Sequence, residues 1–459
     1  DVSDFTTTGI YAQAKWDVSP RLTVNAGLRY EFGETDLKPE LNRDFLTATG
    51  FRNDGTLDGS SAISPRVGFN FAVDDKRTIQ IRGGAGHFLG RAPWVFFSNS
   101  FGATGVGTFS RSSADAVNPL PTSLTTYLRT EFDPANPIAT GTDNPNLRRE
   151  VDWADGDIEL PQVWRGNLAV DFKLPVLDST LTFEMVHSSV DQALFIVNEN
   201  LRPSTLPSAD GRQRFSGNPG TAANARFAGY TDLFRVKNVD VGESTYYTAT
   251  WDRPFKNKWA ANVSYSRGRS VEAQAIGQTT ASGQWQRNVV FNQSAVEKGI
   301  SDFEVRDRIQ VSYSRQIEVY KNWKTIVSVY YEGRTGNPFS WVYGSVGAAS
   351  GDLNGDGRTD NDLVAVPSGV DDARFDFSGM TTAQRDAMFA FIQSSGLGRY
   401  AGGIAPKNGF TEPWFNRLDL KFVQQIPVYS SVRLSLFFDF INFGSFIDDE
   451  LFSFTEVAP

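Results

Sequence analysis

The segment 352–362 carries oxygen-bearing side chains at a spacing typical of a calcium-binding loop. Oxygen donors occupy loop positions one, three, five and nine, and Gly357 at position six permits a sharp turn. In such loops position seven contributes its backbone carbonyl. The predicted metal ligands are Asp352, Asn354, Asp356, Arg358 through its carbonyl, Asp360 directly or through a water molecule, and Asp362.

One position departs from the calcium-loop pattern. Leu363 occupies position twelve, where a bidentate Glu is usual, and Asp362 one residue earlier can take its place. The alternative is a turn rich in Asp and Asn that is closed by its own hydrogen bonds. We favour the calcium interpretation, with the ion acting as a structural clip in a loop, and we predict no other cofactor.

The sequence offers little for catalysis. It has no Cys, and its two histidines, His87 and His187, lie on separate predicted strands outside any catalytic motif. The segment 83–86 (GGAG) lacks the Gly-Lys-Ser/Thr ending of a phosphate-binding loop. These observations predict that the protein is not an enzyme.

The amino-acid composition narrows the class of protein further. The 459 residues include 13% aromatic side chains and 41 Gly, a mixture that suits strands with one apolar and one polar face. The net charge of −9, without a basic stripe, argues against a nucleic-acid partner. No apolar run approaches the roughly 18–20 residues of a membrane-spanning helix. The N-terminus does not read as a signal peptide, so we expect either that one was removed or that the chain starts within a longer protein.

A period of two is the strongest signal in the chain. Between residues 22 and 32, apolar side chains alternate with polar ones, as expected for a strand that is apolar on one side and wet on the other. Such segments recur in pairs joined by tight turns. The six predicted hairpins join 10–16 to 22–32, 67–73 to 79–81, 164–172 to 181–185, 247–251 to 259–265, 309–313 to 327–331, and 418–422 to 432–440.

Long polar connections separate the hairpins, at 33–63, 90–160, 191–244 and 333–413. Short turns at one end and long loops at the other are typical of an outer-membrane β-barrel whose long loops face outward. A soluble β-sandwich or propeller is the alternative, but compact domains seldom contain connections of this length. The fold class is therefore predicted to be all-β, a transmembrane antiparallel barrel with about twelve strands visible. The external loop 334–412 is predicted to carry the calcium motif and one short helix, 382–393.

The predicted faces have different chemistry. Trp and Tyr near strand ends, such as Trp16 and Trp259, resemble an interfacial aromatic girdle in contact with outer-membrane lipid. Mixed charges on the polar faces predict ion pairs along a wet lumen rather than ligand contacts. These inward residues are Arg29, Glu31, Asn70, Arg82, Arg165, Asn167, Asp171, Glu184, Arg308, Arg417, Asp419, Lys421, Arg433 and Asp439.

Several segments, taken in order, resemble TonB-dependent transporters of the Oar-like group. They are 11–16 (YAQAKW), 28–31 (LRYE), 64–70 (SPRVGFN), 82–86 (RGGAG), 90–99 (GRAPWVFFSN), 160–169 (LPQVWRGNLA), 352–364, 416–420 (NRLDL) and 438–444 (FDFINFG). The resemblance implies a plugged barrel of about 22 strands in the bacterial outer membrane. It further implies energy-coupled import of a scarce or bulky nutrient through the TonB complex.

The chain also departs from that group. It shows no plug and no TonB box, and it ends without the usual aromatic residue. We therefore expect the later part of a longer transporter, with TonB contacted through an upstream plug segment. A cell-surface adhesion or structural protein on the same barrel, contacting other envelope proteins, is the main alternative. A passive porin is a weaker one, because its loops are generally shorter.

Overall fold

The computed structural model describes residues 5–91, 94–106, 148–206, 208–293, 295–320, 323–345 and 351–453. Among these residues no helix combines the length and apolarity needed to cross a bilayer. Seventeen strands are present within these ranges: β1 Thr6–Ser19, β2 Leu22–Glu34, β3 Ser61–Ala72, β4 Ile79–Leu89, β5 Arg149–Ala154, β6 Gln162–Leu174, β7 Ser179–Asn198, β8 Tyr230–Val239, β9 Gly242–Lys256, β10 Trp259–Glu272, β11 Gly299–Ile300, β12 Asp307–Tyr320, β13 Trp323–Arg334, β14 Pro338–Phe339, β15 Phe410–Thr411, β16 Phe415–Tyr429 and β17 Val432–Phe440.

Twelve long strands form one continuous antiparallel sheet in the order β1-β2-β3-β4-β6-β7-β9-β10-β12-β13-β16-β17. The six predicted hairpins are all confirmed, because each predicted pair is a pair of neighbours in this order. Each hairpin also pairs with the next along the chain, as β2 does with β3 and β13 with β16. The all-β antiparallel prediction is therefore correct.

Apolar side chains lie in register on one face of the sheet. Ala12 pairs with Leu28, and on central strands Leu168 pairs with Met185. None of the described residues covers this face: Leu28 is 54% exposed and Leu168 is 52% exposed. Exposed apolar surface that runs across many strands needs apolar surroundings, which agrees with the predicted contact with lipid.

The strand connections at one end of the sheet are short. Ser19 closes the first turn by accepting hydrogen bonds from the N–H groups of Arg21 and Leu22 at 3.3 and 3.1 Å. Asp74 closes the second by accepting from the Thr78 N–H at 2.7 Å. Asx and Ser turns of this kind satisfy backbone donors locally. The predicted rim of tight turns is present, although the turn after β12 lies partly outside the described residues.

The other end carries a folded loop layer that the alternation pattern did not predict. β7 is 20 residues long, and its end pairs with β8, which in turn pairs in parallel with β5. The layer has its own apolar cores, in which Phe96, Phe234 and Trp285 are buried in one cluster and Phe45 and Trp153 in another. A further long connection, 273–306, also belongs to it.

The sequence predicted one short helix, and the described residues contain more than one. The predicted helix is present as α4 Thr382–Ser394, but in the part of the chain that the structure describes four other helices accompany it: α1 Arg43–Thr49, α2 Trp94–Gly102, α3 Ala281–Gln286 and α5 Asp449–Phe452. Helices of four to nine residues are too short to show a clear period of 3.6. α4 buries Ile392 against a small apolar cluster, so its apolar face is used in packing.

We expect an arginine on the exposed apolar face to be far more costly than one on the polar face. Val263→Arg should lower the free energy of unfolding from phospholipid vesicles by about 2–4 kcal/mol, as for charges near a bilayer midplane. Ser264→Arg is the matched control, because Ser264 lies on the opposite face and contacts Thr250 at 2.9 Å. The free energy of unfolding of the Ser264→Arg variant should fall by only about 1 kcal/mol. Urea titration of the full-length protein measures both, and equal losses would contradict the assigned faces.

Candidate functional site

Ion pairs line the polar face of the sheet. Arg82 on β4 contacts Asp171 on β6 at 3.0 Å and Glu184 on β7 at 3.7 Å, and Asn167 donates to Glu184 at 3.0 Å. These contacts join three neighbouring strands across the wall. The predicted lumen ion pairs are thus present in this part of the sheet.

Further pairs follow the same face. They are Arg29–Glu31 at 2.7 Å, Arg308–Glu332 at 2.8 Å, Arg417–Asp419 at 2.7 Å and Lys421–Asp439 at 3.0 Å. One or both partners in each pair keep more than a third of the side chain exposed. Exposed pairs typically contribute only about 0–1 kcal/mol each, so they organise a wet surface more than they stabilise it.

The two histidines lie in the strands of the sheet, His87 in β4 and His187 in β7, and both make structural contacts there. His87 lies between the Ile63 carbonyl at 3.0 Å and the Asp191 carboxylate at 3.1 Å, and its ring packs beside Trp164. His187 contacts the Thr245 hydroxyl at 2.8 Å. Both rings make hydrogen-bonding contacts to neighbouring strands or strand ends, which agrees with the predicted role as wall residues.

The 352–362 loop wraps around the Asp352 carboxylate. The N–H groups of Gly355 and Asp356 donate to Oδ1 at 2.7 and 3.1 Å, and the Gly357 N–H donates to Oδ2 at 2.9 Å. Gly355 and Gly357 have φ values of 75° and 86°. Glycine adopts this left-handed conformation without strain, so the two glycines allow the tight wrapping.

Asp356 lies at the centre of the loop and is 1% exposed. Its Oδ1 accepts from the Arg358 N–H at 2.7 Å, while its Oδ2 accepts from the side-chain amides of Asn354 at 3.3 Å and Asn361 at 3.1 Å. Burial, together with the nearby Asp352 charge, raises the pKa of Asp356 to about 7. Burial also raises the pKa of Asp352. The loop therefore holds two carboxyl groups close together, with Asp356 buried and Asp352 half-buried.

Arg212 anchors the end of the loop. Its Nη1 contacts Asp362 Oδ1 at 2.7 Å, its Nη2 donates to the Leu363 carbonyl at 2.7 Å, and a second carboxylate, Asp210, lies at 2.7 Å. The side chains of Arg212 and Asp362 are both fully buried. The other Asp362 oxygen accepts from the N–H groups of residues 353 and 354. This buried pair connects the loop to the segment that follows β7.

The structure brings five of the six predicted metal ligands into one hydrogen-bonded network: Asp352, Asn354, Asp356, Asp362 and, through its backbone N–H, Arg358. The Arg358 side chain points elsewhere, to Asp232 at 3.9 Å and over the Trp285 ring. Asp360 is exposed. In the part of the chain that the structure describes, no group of three or more His, Cys, Asp or Glu side chains is arranged to hold a metal ion. Calcium therefore remains a prediction.

Sequence reasoning missed two residues of this site. Arg212 lies about 140 positions before the loop in a polar stretch without periodicity, so only the folded loop layer reveals its contact with Asp362. Asn361 stands inside the motif but at a position that calcium loops do not normally use. Its side chain is 1% exposed, and its Oδ1 is buried without a hydrogen-bond partner among the described residues.

A large cavity lies between the outer ends of β9 and β10 and the segments 290–300 and 399–409. Its volume is about 1430 Å³. Side chains of both charge signs line the cavity. Six are cationic, namely Arg267, Arg269, Lys298, Arg306, Arg399 and Lys407, and two are acidic, namely Glu243 and Glu297. Some of these are already paired, as Lys298 is with Glu243 at 2.6 Å. Burial lowers the pKa of Lys407.

Comparison with known proteins decides the family. A model of the outer membrane beta barrel domain matches residues 3–444. The chain belongs to this family. The twelve-stranded sheet is thus the wall of an outer membrane beta-barrel domain, and the protein resides in the bacterial outer membrane. No curated protein matches the sequence.

Three solved structures are similar to this barrel domain over 96% of its length. The outer membrane transporter YddB from Escherichia coli has 9% identity and a TM-score of 0.48, with 41% of that chain covered. A ferric enterobactin receptor (PfeA) mutant from Pseudomonas aeruginosa has 7% identity and a TM-score of 0.45, with 40% of that chain covered. The siderophore receptor PirA from Acinetobacter baumannii has 8% identity and a TM-score of 0.45, with 42% of that chain covered. The chain spans about two fifths of the length of these proteins.

The buried Arg212–Asp362 pair should carry much of the stability of the loop layer on this barrel domain. Arg212→Met leaves the Asp362 charge buried without its cation, which typically costs about 3–5 kcal/mol. Hydrogen exchange at the amides of residues 353 and 354, which bond to Asp362, should accelerate accordingly.

Arg226→Met is the control for this prediction. Arg226 pairs with Glu199 at 3.4 Å, but its side chain is 51% exposed. Removing such a pair should change the opening free energy by less than about 1 kcal/mol. Similar exchange rates in the two variants would show that burial of the Arg212 pair does not hold the loop.

Proposed function

We propose that this barrel domain belongs to an energy-coupled transporter that imports a scarce or bulky nutrient across the outer membrane of a Gram-negative bacterium. The ordered segments that resemble Oar-like TonB-dependent transporters support this proposal, and the partner would be the TonB complex, contacted through a plug segment. The barrel domain itself would provide the wall and the external capture surface.

The observation that carries the proposal is the width of the sheet. After twelve strands, β1 pairs only with β2 and β17 only with β16 among the described residues. A wall of twelve strands exceeds the eight whose interior side chains can fill, and barrels much wider than eight strands enclose a water-filled channel or a plugged lumen. The ion-paired inner face is suited to such a lumen.

The loop layer supports transport over passive diffusion. It covers the end of the sheet opposite the tight turns with several buried clusters of its own, and the 1430 Å³ cavity lies at this end. A folded layer with a cavity can bind a solute before passage, which a passive pore does not require. The same folded surface makes adhesion the second candidate, because a rigid external layer can also bind a surface partner.

Energy dependence separates import from adhesion. In the native strain, we expect deletion of the full-length gene to abolish growth on at least one nutrient supplied at a limiting concentration. Complementation should restore both growth and uptake of that nutrient, and a protonophore that dissipates the inner-membrane gradient should stop the uptake in the complemented strain. Surface attachment, measured in parallel, should not respond to the protonophore.

Two results would contradict transport. The first is a deletion strain that grows normally on every limiting nutrient but fails to attach to surfaces, which would favour the adhesion role. The second is a full-length gene that encodes no plug and no TonB box. Uptake that persists after the gradient is dissipated would instead indicate a passive channel.

A further inference from the structure

We infer that the 352–362 loop binds one calcium ion and that the ion fastens the external loop layer together. The donors would be the carboxylates of Asp352 and Asp356, the amide oxygens of Asn354 and Asn361, and the Arg358 carbonyl. This inference does not depend on the transport proposal, because the site lies in the loop layer and needs no substrate.

The donor chemistry matches calcium. All five groups are oxygens, and calcium takes 6–8 oxygen ligands in flexible geometry, with water completing the shell. Two carboxylates, two amides and a carbonyl form a mixed set rather than a cluster of three acidic side chains. This composition agrees with the absence of any group of three acidic, His or Cys ligands among the described residues.

Asn361 provides an observation independent of the motif. Its amide nitrogen lies 3.1 Å from Asp356 Oδ2, so the amide group rests against the carboxylate at the centre of the loop. Its Oδ1 is buried and accepts no hydrogen bond among the described residues. Buried amide oxygens are rarely left without a partner, and each such case asks for an explanation such as an ion. A cation beside Asp356 would supply that partner.

The surroundings of the buried Asp356 carboxylate also indicate a bound cation. Within the described ranges its carboxylate contacts only neutral donors, namely one backbone N–H and two side-chain amides. Arg212, which anchors the loop, pairs with Asp210 and Asp362, and the side chain of Arg358 within the loop pairs with Asp232. A carboxylate that is 1% exposed is stable in its charged form only beside a cation or strong donors.

The remaining acidic residues take other roles. Asp362 already binds Arg212 and two backbone N–H groups, so we assign it a positioning role at the end of the loop. Asp360 is exposed, and its carboxylate accepts from the Thr359 hydroxyl at 3.2 Å. At position nine it would reach the ion at most through water, as that position often does.

Binding at this loop would stabilise more than the loop itself. The Asn354 carbonyl accepts from the Phe215 N–H at 2.7 Å, and Gly357 packs so closely on Asn218 that a Cβ there would lie 2.6 Å from the Asn218 Cα. Bridges also join Asp362 to Val290 and Leu363 to Val342. The ion would therefore hold three other loop segments against residues 352–363.

Calorimetric titration of calcium chloride into the full-length protein in detergent tests the site. We expect one calcium per chain with a dissociation constant in the range of about 10⁻⁴–10⁻³ M or tighter, as in extracellular calcium modules. Asp356→Asn should abolish the heat. Asp360→Asn removes the same charge from the same loop at an exposed position, and it should bind nearly as well as the unaltered protein.

A second measurement separates loss of binding from loss of folding. Calcium should slow protease cleavage within 201–229 and 352–363 of the unaltered protein, and magnesium at the same concentration should not. Asn361→Ala, which removes one neutral donor, should weaken calcium binding while leaving the barrel fold intact. Absence of heat and of protection at millimolar calcium in the unaltered protein would overturn the inference. Equal loss of binding in Asp356→Asn and Asp360→Asn would overturn the assigned ligands.

Discussion

A peptide group that faces hydrocarbon cannot hydrogen-bond to water, so each N–H and C=O in the membrane part of this sheet must find its partner on a neighbouring strand. Among the described residues, the ten long strands between β1 and β17 pair on both sides and so satisfy that constraint along the interior of the wall. The constraint also explains the tight turns, where Ser19 and Asp74 accept from backbone donors that have left the ladder. Irregular backbone is confined to the ends of the sheet, where water or protein can satisfy it.

Strand pairing then determines the chemistry of both faces. Because side chains alternate, the register that pairs Leu168 with Met185 places Asn167 and Glu184 diagonally on the other face, where they hydrogen-bond at 3.0 Å. A slip of one residue would bring charged side chains to the lipid and apolar ones to the lumen. The exposed ion pairs on the inner face therefore need little intrinsic stability, since the apolar face and the ladder already fix their positions.

The wall could be predicted from the sequence and the loop layer could not. Alternation is a local property, so all six hairpins were visible in segments of about ten residues, as was the helix α4. β5 and β8 pair in parallel across about 80 residues, and the buried ring of Trp153 depends on Phe45 from α1. Such contacts leave no periodic trace. The calcium motif was visible through its spacing, whereas its contact with Arg212 required the folded layer.

Arginine–aspartate pairs act differently in the two parts of the molecule. In the wall, Arg82 and Asp171 keep 40% and 21% of their side chains exposed, so water screens the pair and its loss is easily tolerated. In the loop layer, Arg212 and Asp362 are fully buried, and either charge left alone would be severely destabilising. The wall is thus held by many weak, redundant contacts, while the long loops depend on a few buried charged groups. Rigidity of the external surface is consequently concentrated where residues 352–363 meet residues 210–218.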